Sequence, residues 1–227
     1  MFLRLSRAAW LRILPFAAFI AMLALRGIAP EDGSWGIDAR WLYAAQVAGV
    51  GGLLMMFWRE YGELHRQNLP TLRQTLLAVA SGLLVFVLWT ELDAPWMVIE
   101  GSATAPFRPV GAQGEVLWPL VAVRWAGAAL LVPVMEELFW RSFRMRWIER
   151  AQFELVDPRH VGPKAIVLTT FVFTLAHTQW MAAIAAGLVY AWLYRATGKL
   201  WVPVIAHAVT NAALGGWVVL TGNWSYW

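Results

Sequence analysis

The sequence has no cysteine in its 227 residues. Disulfides, thiolate metal sites and a cysteine nucleophile are therefore excluded. Charge is sparse as well: 14% of residues are charged and 60% are hydrophobic, whereas a soluble domain is roughly a quarter charged and about half apolar. There is no internal repeat, low-complexity tract or recognisable soluble domain. The first apolar run lacks a small-residue cleavage site and carries Pro15 and a trailing Arg26. It reads as a retained span, not as a leader that is removed. The period-2 alternation of barrel strands is also missing.

What is present is a series of long uncharged runs. Residues 41–58 and 178–194 contain no charged side chain, and from Leu200 onward there is none apart from a possible charge on His207. Runs of this length read as membrane spans. Several in one chain make a helical bundle, because lipid tolerates only helices or closed barrels. The expected fold is thus all-α, a polytopic transmembrane bundle of about seven spans, with an eighth short helix as the alternative. The spans fall near residues 8–25, 39–58, 71–90, 116–150, 164–177, 179–195 and 200–220. They form one membrane domain over residues 1–227, with a motif-bearing core at about 116–220. Many of the 16 tryptophans lie near run ends (Trp10, Trp41, Trp58, Trp89, Trp118, Trp201, Trp217), where indole suits the membrane interface.

The loops alternate in charge. The N-terminus (Arg4, Arg7), the segment around Arg59, Arg66 and Arg73, the link before Lys164 and the turn at Arg195 and Lys199 are basic. The segments with Glu31, Asp32 and Asp38 (broken by Pro30 and Gly33) and with Glu91, Asp93, Glu100 and Glu115 are acidic. Basic loops mark the cytoplasmic side, so the N-terminus is expected inside and the C-terminus outside. The span holding His177 and the one after it are short for a bilayer of about 30 Å hydrocarbon thickness. The turn around Thr178 is therefore expected below the external surface, under neighbouring helices. Ala183, Gly187 and Ala191 recur at i, i+4 and i+8, which favours close helix contact.

The chemistry concentrates in the second half. In Val134-Met-Glu-Glu-Leu-Phe-Trp-Arg-Ser-Phe143, Glu137 and Arg141 stand at i and i+4 and can pair on one helix face. Glu136 lies about 100° round the helix and is left free. Downstream, His177 ends one apolar run, and His207 and Asn211 share a face of the last one. At 1.5 Å rise per residue, Glu136 and His177 lie about 20 Å above their cytoplasmic helix ends, His207 about 12 Å and Asn211 about 18 Å. Polar groups at matching depth in apolar helices must find partners, so they are expected to converge on one wet cavity. A carboxylate beside a histidine can activate water, and a histidine with an asparagine can donate to an oxyanion. A metal reading, with a glutamate and two histidines on zinc, has suitable ligand types but lacks the His-Glu-x-x-His spacing. The hydrolytic reading calls for no metal and no cofactor.

The ordered set Glu136-Glu137-x-x-x-Arg141, Phe173-x-x-x-His177 and His207-x-x-x-Asn211 resembles the CAAX protease and bacteriocin-processing (Abi) family of intramembrane glutamic proteases. On overall length and the N-terminal half, the chain more specifically resembles the CAAX prenyl protease-related proteins of bacteria with exosortase sorting systems. The resemblance implies that Glu136 and His177 activate water and that His207 and Asn211 bind the oxyanion. It also implies that Glu137 and Arg141 form a structural ion pair. It implies an endopeptidase in a bacterial cell membrane, with membrane lipid around it and a membrane-anchored or lipidated substrate. Nucleic acid is not an expected partner. Ser142 departs from the glycine that many members carry after the arginine, and is expected to alter local packing only. The rival readings are a non-catalytic membrane scaffold or accessory subunit packed against other membrane subunits, and a small transporter or immunity protein using the same polar pocket.

Overall fold

A computed structural model describes residues 5–29, 36, 38–99 and 106–227. Arg4, Pro30, Glu31, Asp32, Gly33 and Glu100, all used in the loop-charge reading, lie outside the described residues. Among the described residues the main elements are helices: α1 (Arg7–Ile28), α2 (Leu42–Met56), α3 (Leu72–Glu91), α4 (Trp118–Glu149), α5 (Pro163–Leu175), α6 (Trp180–Thr197) and α7 (Trp201–Thr221). They follow the seven expected runs in order, and the only strand-like pairing described is an isolated bridge between Val110 and Val116. By length and composition, α1, α3, α4 and α7 are sufficient to cross a membrane. α5 has only 13 residues, about 20 Å at 1.5 Å per residue, and falls short.

Local chemistry explains the helix ends. Ser6 caps α1 by accepting from the Ala9 N–H, and Thr71 and Gln74 form a capping box at the start of α3. Pro163 opens α5 at a position where a missing N–H costs nothing. Gly198 and Gly222 close α6 and α7 with φ of 68° each, the left-handed cap that glycine adopts without strain.

Small residues set the closest helix approaches, as packing in lipid favours. A Cβ on Gly82 of α3 would run into the Ala206 carbonyl and come within 2.9 Å of Val209 Cβ on α7. A Cβ on Gly187 of α6 would meet Thr170 Cγ2 of α5 at 2.8 Å. Ala183 and Ala191, the other members of that stripe, are buried. Two apolar clusters fill the bundle. One gathers Leu11, Val50, Tyr61, Met135, Leu138 and Val204, and the other Ala78, Val85, Trp140, Phe173, Tyr190 and Ala206.

The turn between α5 and α6 is covered in part. Thr178 accepts from Ile99 N–H through its carbonyl (2.8 Å), Gln179 donates to the Trp89 carbonyl (3.0 Å), and the Trp180 indole donates to the Trp96 carbonyl (3.1 Å). The segment after α3 thus folds over the turn, although Thr178 itself stays exposed. Trp201 departs from the aromatic-belt expectation in one respect: its indole is tied inward to the Leu64 carbonyl at 3.0 Å.

Candidate active site

α4 carries the paired glutamates and is not a uniform α-helix. Two wide, π-type turns, Gly127–Leu131 and Leu138–Met145, bracket the α-helical piece Val132–Glu137. Pro133 explains the first. A proline inside a helix has no N–H and collides with the carbonyl of the residue four before it, here Ala129. Widening the turn removes the collision: the Val132 N–H reaches back to the Gly127 carbonyl. In the same register the Ala128 carbonyl would pair with Pro133, which has no hydrogen to give. Asn211 of α7 fills that need by donating its side-chain N–H to the Ala128 carbonyl at 2.8 Å. Wide turns of this kind often mark functional positions.

Glu137 is fully buried and receives two donors on one oxygen. Arg141 Nη1 donates to Oε1 at 3.1 Å, and His207 Nδ1 donates to the same atom at 3.0 Å. The expected Glu137–Arg141 pair is therefore present, with His207 as a further partner from α7. The Arg141 guanidinium lies over the rings of Phe173 (4.9 Å) and Tyr190 (5.4 Å) and reaches the Gly187 carbonyl at 3.5 Å. Aromatic faces offset part of the cost of burying this cation. The His207 ring stacks on Tyr190, with centroids 5.0 Å apart. Tyr190 in turn donates to Thr210 (2.8 Å), whose hydroxyl donates to the Gly82 carbonyl (2.8 Å). Helices α3, α4, α6 and α7 are thereby joined around one imidazole.

His177 stands just beyond α5. Its Nδ1 lies 2.8 Å from the Phe173 carbonyl. A carbonyl can only accept, so Nδ1 carries the proton and a neutral ring keeps its lone pair on Nε2. Trp89 presents its ring to this imidazole at 5.7 Å and 77°. Glu136 lies within electrostatic reach of His177, as do His207 and Arg141. Glu136 is 9% exposed, and its Oε2 has no hydrogen-bond partner. Among the described residues seven buried side-chain polar atoms are unpaired, and four of them belong to Glu136, Glu137, Trp140 and Arg141. Unsatisfied groups of this kind are rare in folded chains. Their clustering within six residues leaves this stretch of α4 with hydrogen-bonding capacity that no group of the described residues uses.

Each predicted residue is thus placed. Glu137 contacts both Arg141 and His207, Glu136 and His177 are within electrostatic reach of each other, and Asn211 is committed to the α4 backbone. A cavity of about 620 Å³ lies elsewhere, between the 108–116 segment and the end of α7, and none of the six residues lines it. Among the described residues no group of three or more His, Asp or Glu is arranged to hold a metal ion.

Sequence reasoning missed a second buried charge cluster. Glu63, on the turn Gly62–Leu64 between α2 and α3, accepts from Arg12 (2.6 Å), Arg146 (2.7 Å) and the Ser142 hydroxyl (2.5 Å). Ser142 is therefore more than a packing substitution: its hydroxyl also accepts from Arg12 Nε (2.8 Å) and Arg146 Nη2 (2.9 Å). The one available signal was Arg12 itself, a cation inside an apolar run that required a partner.

Fold and site together define an all-α multi-pass membrane protein with buried ionisable groups inside an apolar helical bundle. Residues 118–213 match the family model described as type II CAAX prenyl endopeptidase Rce1-like. The matched segment contains all three motifs and bears out the resemblance read from them. No curated protein and no solved structure matches the chain.

Proposed function

We propose that this chain is an intramembrane endopeptidase of the glutamate type, acting on a membrane-anchored or lipidated peptide. The observation that carries the reading is the buried Glu136 oxygen that lacks a hydrogen-bond partner, within electrostatic reach of a histidine whose Nδ1 is held by the Phe173 carbonyl. Glu136 and the Nε2 lone pair of His177 together take a proton from water, and the resulting hydroxide attacks the scissile carbonyl. The proton then passes to the departing amine as the carbon–nitrogen bond breaks. Negative charge on the tetrahedral intermediate is met by His207 and by the second N–H of Asn211. His207, held through Nδ1 by Glu137, donates through Nε2 when that nitrogen also carries a proton. Arg141 holds Glu137 in place for that task through their ion pair. On this reading the working core is residues 116–220 of a single membrane domain in a bacterial cell membrane, with the N-terminus cytoplasmic.

Complementation of a deletion strain at matched protein level is the test. Glu136→Gln and His177→Ala are each expected to fail, while the proteins remain folded. His207→Ala and Asn211→Ala are expected to lower turnover by about 10²–10³ for each lost donor. Full rescue by Glu136→Gln would transfer the role to a non-catalytic scaffold.

A further inference from the structure

Glu63 lies outside the matched segment, on a loop that joins α2 to α3, yet its carboxylate reaches the residue next to Arg141. The Ser142 hydroxyl is saturated: it donates to Glu63 and accepts from Arg12 Nε and Arg146 Nη2. Arg146 Nε also donates to the Ser142 carbonyl. Arg12 closes the ring by pairing with the second Glu63 oxygen and donating to the Ala8 carbonyl at 3.0 Å. Three parts of the chain thus converge on one residue of the wide turn Leu138–Met145.

That location matters because a wide turn is the less favoured helical form. Returning it to α-helical register moves every following side chain by about one position, or roughly 100° round the axis. Arg141 would then turn about the axis relative to Glu137, Phe173 and Tyr190, and Tyr190 is the ring on which His207 stacks. We propose that Glu63 is a positioning residue for the site. By holding Ser142 and Arg146 it locks the wide register of α4 and so fixes where Arg141, Glu137 and His207 stand. The proposal rests on the hydrolytic reading for its catalytic consequence, but not for its structural one. A clamp serving stability alone would also tie α1 to α4. It would not transmit to a histidine on α7.

The test reads His207 directly. The full chain carries four histidines, so ¹⁵N-histidine labelling in lipid bilayers gives few resonances, and His207→Gln identifies the one of interest. The Nδ1 shift of His207 reports its bond to Glu137. Glu63→Gln keeps the shape of the side chain and removes its charge. It is expected to move the His207 signal toward that of Glu137→Gln while exposed His160 stays in place. Cleavage is expected to fall by about 100-fold, the loss that a misplacement near 1 Å can cause. Ser142→Ala is the second variant, for use if Glu63→Gln does not fold, and the same displacement is expected. An unchanged His207 signal in a folded Glu63→Gln or Ser142→Ala protein would overturn the proposal. Failure of the protease reading has a different signature: Glu136→Gln rescues, and the His207 displacement is still seen.

Discussion

Glu63 shows how far a single side chain can be from the value its burial would dictate. Burial alone would raise its carboxyl pKa, but Arg12, Arg146 and the Ser142 hydroxyl outweigh that and hold it below the ordinary value of 4.5. A depressed folded-state value stabilises the fold above the unfolded-state value, and the contribution disappears as pH falls through the folded one. The stability that Glu63 contributes should therefore be complete above pH 4.5 and lost below it. Melting temperatures of the natural chain and of Glu63→Gln, followed downward from neutral pH, should differ at first and converge in acid, where Glu63 is itself neutral. A gap that persists unchanged into acid would mean that shape, and not charge, holds the cluster. The same residue corrects the reading of Ser142. A glycine there would leave Arg12 Nε, now bonded to the hydroxyl, without a partner in a buried place.

At the scale of the element, the central fact is that α4 is irregular on both sides of its two glutamates. The amino-acid sequence contains one cause, Pro133, and one remedy, Asn211, separated by most of the motif-bearing core. If Asn211 is there because Pro133 cannot pair with the Ala128 carbonyl, the two residues must be energetically coupled. Asn211→Ala should cost about 1–3 kcal/mol in the natural chain, the penalty of an unsatisfied buried acceptor. In a Pro133→Ala background the new N–H can reach Ala128, and the same change should cost much less. A double-mutant cycle on denaturant stability measures that difference. Additive losses would show that Asn211 is not serving the α4 backbone.

Across the whole molecule, charge distribution sets the expected orientation. The ends of the bundle that carry Arg59, Arg66, Arg150, Arg159, Arg195 and Lys199 face the cytoplasm if basic loops stay inside. The absence of cysteine makes this easy to examine. Arg150→Cys and Gln113→Cys place single thiols at exposed positions on opposite ends of α4. Arg150→Cys is expected to react with an impermeant reagent only from the cytoplasmic side, and Gln113→Cys only from outside. Labelling of both from one side would overturn the alternating topology. The short α5 is compatible with that topology because the 95–99 segment folds over its end.

Much of this was legible from residue order. Uncharged runs located the seven helices, since the cost of burying charge in lipid acts on each segment independently. The Glu137–Arg141 pair followed from i, i+4 spacing, which is local geometry. The second partner of Glu137 could not be read in this way, because His207 is 70 residues away and reaches it only through the packing of α7 against α4. Nor could the commitment of Asn211 to Ala128, or the meeting of Arg12, Glu63, Ser142 and Arg146. Those contacts join residues with no shared period. The wide turns of α4 belong with them: Pro133 announces a broken hydrogen bond, but only the fold decides which distant side chain replaces it.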